Sequence, residues 1–197
     1  MIRAAAATTA AFTWWDVLAA VIVVSLVPVV EWVVHSRVLH AEPRKIGSWT
    51  VDFGAGHRNH HRYPNSIYGV VLAGGEAAAF QLLDVLTVAT VVGVPFAYLG
   101  APVVGPVLTG SVFAIASLFY YEWLHFLFHT PYRPKSTLYR RLKRNHRYHH
   151  FRNENYWLGV TSNVGDRLWG TYAVDGSDVP TSATVKTLGI EEFHERA

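Results

Sequence analysis

The sequence predicts an all-α integral-membrane bundle, with helical spans capped on one face by a polar, histidine-rich segment. Three observations carry this expectation. Hydrophobic residues make up 51% of the chain and charged residues only 16%. The apolar residues fall into long uncharged runs. Ten of the 11 histidines gather in four tight groups at the ends of those runs. The 197 residues suit one domain, 1–197, with a core at 12–172 and a polar tail at 173–197.

The first run, 17–30, holds no charge, and Trp32, Val33 and Val34 extend it past Glu31. Residues 85–121 are also uncharged, but Gly100, Ala101 and Pro102 break that stretch in two. It reads as two spans, 79–99 and 103–128, joined by a tight turn. A bilayer core of ~30 Å needs about 20 helical residues, which each segment supplies. Asp84 is the one charge out of place, near the start of the second span. Residues 66–78 are apolar and glycine-bearing, and are expected to lie in the interface or to re-enter. A signal peptide at 1–30 is disfavoured, because no A-x-A-like site follows the run.

The net charge of +3 could indicate nucleic acid, but sparse charge and abundant aromatics argue for a membrane instead. Of the 17 Lys and Arg, only Arg3 precedes the first span. None lies in the turn near residue 100, and the other 16 lie at 37–62 or after 132. Three crossings put both of those segments on one face, which the positive-inside rule makes cytoplasmic, with the N-terminus outside. Beyond residue 130, Tyr132, Tyr139, Tyr148, Tyr156 and Trp157 alternate with basic residues, a mixture that suits the headgroup layer.

The histidines repeat in order. Glu31-Trp32 precedes His35 and His40, followed by His57, His60 and His61. Glu122-Trp123 precedes His125 and His129, followed by His146, His149 and His150. A matched pair of sets points to two metal ions, or to one pair held between two half-sites. Residues three or four apart share a helix face, so each HRxHH group forms one stripe. His35 and His40, five apart, lie ~140° around an ideal helix. The helix is therefore expected to end or unwind between them, as Glu42-Pro43 just beyond would allow.

Neutral imidazole is the commonest protein metal ligand. Burying ten titratable rings without partners would be costly, which disfavours a pH-titrating surface patch. Glu31 and Glu122 are placed to orient the second nitrogen of His35 and His125, with Asp166 as further support. The chain has no cysteine, so coordination would be nitrogen-rich. Ten histidines allow two ions five ligands each, which favours two redox-active irons with O2, and keeps zinc as an alternative occupant. Transport is disfavoured because residues 85–119 offer few polar groups. His194 stands alone and is read as a surface residue.

The groups HSRVLH, HRNHH, HFLFH and HRYHH together resemble the fatty acid hydroxylase superfamily of membrane non-haem di-iron oxygenases. The similarity runs from Glu31 to Tyr172 and includes NYWLGVTSNVGDRLWGTY at 155–172. Its spacing looks closest to the fatty acid 2-hydroxylase branch. Carotenoid hydroxylases share the first half, and membrane desaturases typically show three boxes where this chain has four. The resemblance implies a membrane-bound monooxygenase that hydroxylates an aliphatic C–H of a fatty acyl or related lipid. The metal ligands would be His35, His40, His57, His60, His61, His125, His129, His146, His149 and His150. It further implies an external electron donor, a ferredoxin or a cytochrome b-type protein. A carotenoid or sterol hydroxylase or desaturase, and a non-catalytic zinc-binding membrane protein, are the alternatives.

Overall fold

A computed structural model describes residues 12–67 and 69–190; His194 and Arg3 lie outside them. The chain is a helical membrane bundle. Among the described residues, three helices are long and apolar enough to cross a bilayer: Trp14–Leu39, Gly74–Tyr98 and Val104–Phe128. Their outer faces leave large apolar side chains uncovered, among them Val21, Leu82, Leu86, Leu108, Val112 and Phe119. Water would not tolerate three such faces side by side, whereas lipid covers them at no cost.

The first span consists of α1 (Trp14–Val34) continued by a π-helical turn, His35–Leu39. Thr13 and Asp16 cap its start reciprocally. A two-stranded antiparallel hairpin follows, β1 (Arg44–Ile46) and β2 (Trp49–Val51), then the short α2 (Ala55–Arg62). The second span is α3 (Gly74–Val88), a second π turn (Ala89–Gly93) and α4 (Val94–Tyr98). Pro95 cannot donate to the helix ladder and crowds the carbonyl four residues back, which accounts for the loosened turn before it. The third span is α5 (Val104–Phe128). The cap is completed by α6 (Thr137–Phe151) and α7 (Val164–Leu168).

The helix of the second span begins at Gly74, five residues before the expected 79. Residues 74–78 are therefore its first turn and not a separate interfacial or re-entrant piece. Asp84 consequently lies near mid-span. The turn at residue 100 is as expected.

α5 packs against both α1 and α3. Ala19, Val23, Val88, Val92 and Phe96 form the buried core at the end remote from the cap. Leu124, Phe128, Leu142 and Val160 form a second core beneath the cap. The C-terminal ends of the first and third spans and the N-terminal end of the second meet at the cap. Lys143 of α6 donates to the carbonyls of Thr130 and Tyr132, both at 2.7 Å, and so fastens α6 beneath the end of α5. Trp157 is fully buried, with its Nε1 donating to Ala173 O at 2.8 Å. It serves the cap interior, in place of the expected headgroup layer.

Candidate metal centre

The sequence places His35 and His40 five apart, and the structure brings them together without ending the helix. The π turn replaces the expected break. His40 N–H donates to His35 O at 3.2 Å, five residues back. That wider turn stacks residue i+5 over residue i, as an α-turn stacks i+4. Both rings therefore face the cap.

α2 and α6 carry the other two groups. In an ideal α-helix, residues i and i+4 differ by ~40° and residue i+3 lies ~60° to the other side. Each HRxHH stripe is thus split along its length. His57 and His61 face one point, and His60 faces another. His146 and His150 face one point, and His149 faces another. The ten histidines resolve into two clusters of five, each with ligand atoms within 4.8 Å of one another. The first holds His35, His40, His57, His61 and His149. The second holds His60, His125, His129, His146 and His150. Each half of the repeat supplies four rings to its own cluster and lends the middle histidine of its HRxHH to the other. The clusters adjoin, with the His61 and His150 rings 4.2 Å apart.

α2 reaches the π turn because Gly54 precedes it. A side chain at Gly54 would stand 2.5 Å from Leu39 O. Arg58 holds the same junction, through an ion pair to Asp52 and a 3.0 Å bond to Ala41 O.

Backbone carbonyls orient the rings. His35 Nδ1 bonds Leu158 O at 2.5 Å, and His61 Nδ1 bonds Val185 O at 3.0 Å. His129 Nδ1 bonds Pro64 O at 2.9 Å, and His149 Nδ1 bonds Tyr156 O at 2.9 Å. A carbonyl only accepts, so each of these Nδ1 atoms carries the proton and each Nε2 presents a bare lone pair. Yet His61 Nε2 and His149 Nε2 lie 3.1 Å apart. Two lone pairs at that distance repel, and a cation held by both would remove the repulsion. Burial holds both rings well below the ordinary imidazole pKa, with His61 pushed down to about 3. Protonation therefore does not relieve the contact at neutral pH. The donor set fits a metal ion in each cluster.

The expected carboxylate–histidine contacts are replaced by indirect ones. Glu31 accepts from Val160 N, Thr161 N and the Thr161 hydroxyl, and does not bond His35. Asp166 accepts from Leu158 N and Gly159 N at 2.8 and 2.9 Å, and from the Thr171 hydroxyl at 2.7 Å. Four consecutive amides, 158–161, are thus held by two carboxylates, and the same loop supplies the carbonyl that fixes His35. The loop turns too tightly for any side chain at Gly159, whose added carbon would meet Ser162 O at 1.9 Å. Glu122 accepts from Leu72 N at 2.8 Å and anchors the start of the second span, with no bond to His125. Backbone donors take all three carboxylates because an amide buried in this cap has no water to satisfy it.

The tail after residue 172 contributes more than its composition implied. Val185 fixes His61, and Arg152 Nε donates to Val179 O at 2.5 Å. No side-chain pattern announces a carbonyl.

Acid should unfold the metal-free protein early. Burial pushes His61 down to about 3, and burial likewise pushes His129 down to about 4. Below an ordinary pKa of about 6.5 the unfolded chain takes up protons at these sites and the folded chain does not. Stability is thus full above about 6.5 and falls as the pH drops toward 4, by up to about 1.4 kcal/mol per pH unit for each such histidine. Chelator-treated protein in detergent is expected to melt at falling temperatures from pH 7 to 5. A midpoint unmoved across that range would contradict the neutral, buried state of the rings.

Three membrane helices with a cap of clustered, buried histidines define a class of membrane protein whose cap could hold metal ions. The fatty acid hydroxylase family model matches residues 17–171, which include all ten clustered histidines with Glu31, Glu122 and Asp166. The chain belongs to this family. Comparisons with curated proteins and with solved structures give no match.

Proposed function

We propose that the chain is an O2-dependent lipid hydroxylase holding two iron ions, one in each five-histidine cluster. The observation that carries this reading is the facing of two bare imidazole lone pairs, His61 Nε2 and His149 Nε2, across 3.1 Å in the first cluster, with a second five-histidine cluster adjoining it. Bound as a pair, iron ions supply the activation of O2 that insertion into an aliphatic C–H bond requires. Overall, one oxygen atom enters the lipid and the other leaves as water, consuming two electrons and two protons. Those electrons come from a separate carrier, a ferredoxin or a cytochrome b-type protein.

A cavity of about 140 Å³ supports the lipid as substrate. Val23, Val27, Val30 and Val34 of α1, Phe80 and Val88 of α3, and Ala114 and Leu118 of α5 line it. Its polar end carries His35, Glu31 and Glu122. An apolar chain entering sideways from the bilayer would therefore lie with one end against the first histidine cluster. Leu39 and Leu72 add two apolar side chains to the same lining. The basic residues gathered on the cap side favour a cytoplasmic site and an outside N-terminus. The spacing of the boxes favours an acyl substrate of the fatty acid 2-hydroxylase kind over a carotenoid or sterol.

The test is mass spectrometry of lipids from cells expressing the chain, with metal analysis of the purified protein. A lipid gaining the mass of one oxygen, lost in His60→Ala and in His125→Ala, is expected. Unchanged lipids from a protein that holds zinc tightly would overturn the hydroxylase reading in favour of a non-catalytic zinc protein.

A further inference from the structure

Asp84 is a carboxylate that the metal centre leaves unused. It stands ten residues beyond the start of α3 at Gly74, about 15 Å along a helix and so near the middle of a ~30 Å bilayer core. Among the described residues it has no hydrogen-bond or ion-pair partner. An ionisable group at that depth is costly and tends to face a functional cavity. Asp84 lines the same cavity as His35, toward the opposite end. Thr87, three residues on and on the same helix face, lines it too, and Ser117 of α5 joins them. Ser117 Oγ donates to its own helix at Phe113 O, 2.7 Å, which leaves its lone pairs free to accept. The cavity is therefore lined mostly by apolar side chains, with one polar group at His35, Glu31 and Glu122 and a second at Asp84, Thr87 and Ser117 in the half remote from the cap.

We infer that Asp84 determines substrate specificity: it receives a hydroxyl in the half of the lipid remote from the histidine clusters. The substrate class is a lipid already oxygenated in its buried half, and a plain hydrocarbon tail is the poorer ligand. This inference rests on the hydroxylase reading for the identity of the site, but not for its recognition chemistry. A carboxyl group accepts from a hydroxyl when ionised and exchanges hydrogen bonds with it when protonated, so the pairing holds in either state. A plain tail in that place leaves the carboxyl unsatisfied in hydrocarbon, which is the stronger source of discrimination.

The experiment uses the full, metal-loaded chain in lipid nanodiscs. Hexadecanoic acid, and isomers hydroxylated at successive positions along its distal half, compete against a fluorescent fatty acid. The wild type is expected to bind at least one distally hydroxylated isomer about 10-fold more tightly than the parent acid, the size of one satisfied buried hydrogen bond. Asp84→Leu should lose that preference and bind the parent acid as well or better. Asp84→Asn, which keeps a polar group, should retain part of it. The same ranking in wild type and Asp84→Leu, or no favoured isomer in the wild type, overturns the inference. Discrimination without any lipid oxidation would sink the hydroxylase reading and leave this site standing. Oxidation without discrimination would do the reverse.

Discussion

Replacing His149 by alanine is expected to abolish lipid oxidation and to leave roughly one metal ion per chain in place of the two proposed for the wild type. The effect is large because His149 is a crossing ligand. It rises from α6, whose neighbours His146 and His150 belong to the second cluster, yet it completes the first. Its ring is fixed from behind by Tyr156 O and faces His61 across 3.1 Å. Losing it opens one of five positions and removes the tie between α6 and α2 on that side. Paired substitutions test the crossing directly. His149→Ala with His35→Ala removes two rings from one cluster, so the second ion should stay. His149→Ala with His146→Ala damages both clusters, so both ions should go. The opposite pattern, with the first pair emptied and the second pair retaining an ion, would show that the rings are sorted differently.

The crossing could not be read from sequence. Spacing shows that His57, His60 and His61 lie on one side of a helix, but not that two targets share that side. The repeat did announce two matched sets of five, because each ligand group is written in side chains. What holds those side chains was silent. Leu158, Pro64, Tyr156 and Val185 act through carbonyls that every residue possesses. The same limit explains the π turn. A five-residue gap signals that a regular helix fails, yet both a break and a wider turn satisfy it. The spans were legible because lipid imposes composition over 20 or more residues. The start of the second was not, because Gly74 and Gly75 resemble a loop until Glu76 caps the first turn.

Glu31→Ala is expected to lower metal affinity or activity by about 10- to 100-fold, although Glu31 touches no histidine. Its carboxylate collects Val160 N, Thr161 N and the Thr161 hydroxyl at a depth where water does not replace it. Removing it strands the buried Val160 amide, at about 1–3 kcal/mol, together with the half-buried Thr161 amide. The loop 158–161 would then rest on Asp166 alone, and Leu158 O would lose its fixed place behind His35. The first cluster should suffer before the second, since His35 belongs to it. Glu31→Gln keeps one acceptor oxygen and should fall between the variant and the wild type. Glu122→Gln should cost less, because Glu122 holds a single amide, Leu72 N. Metal content and melting temperature together separate the causes. A loop that positions a ligand predicts loss of one ion at nearly unchanged helix content. Full metal and full activity in Glu31→Ala would mean that the grip on the loop does not reach the imidazole.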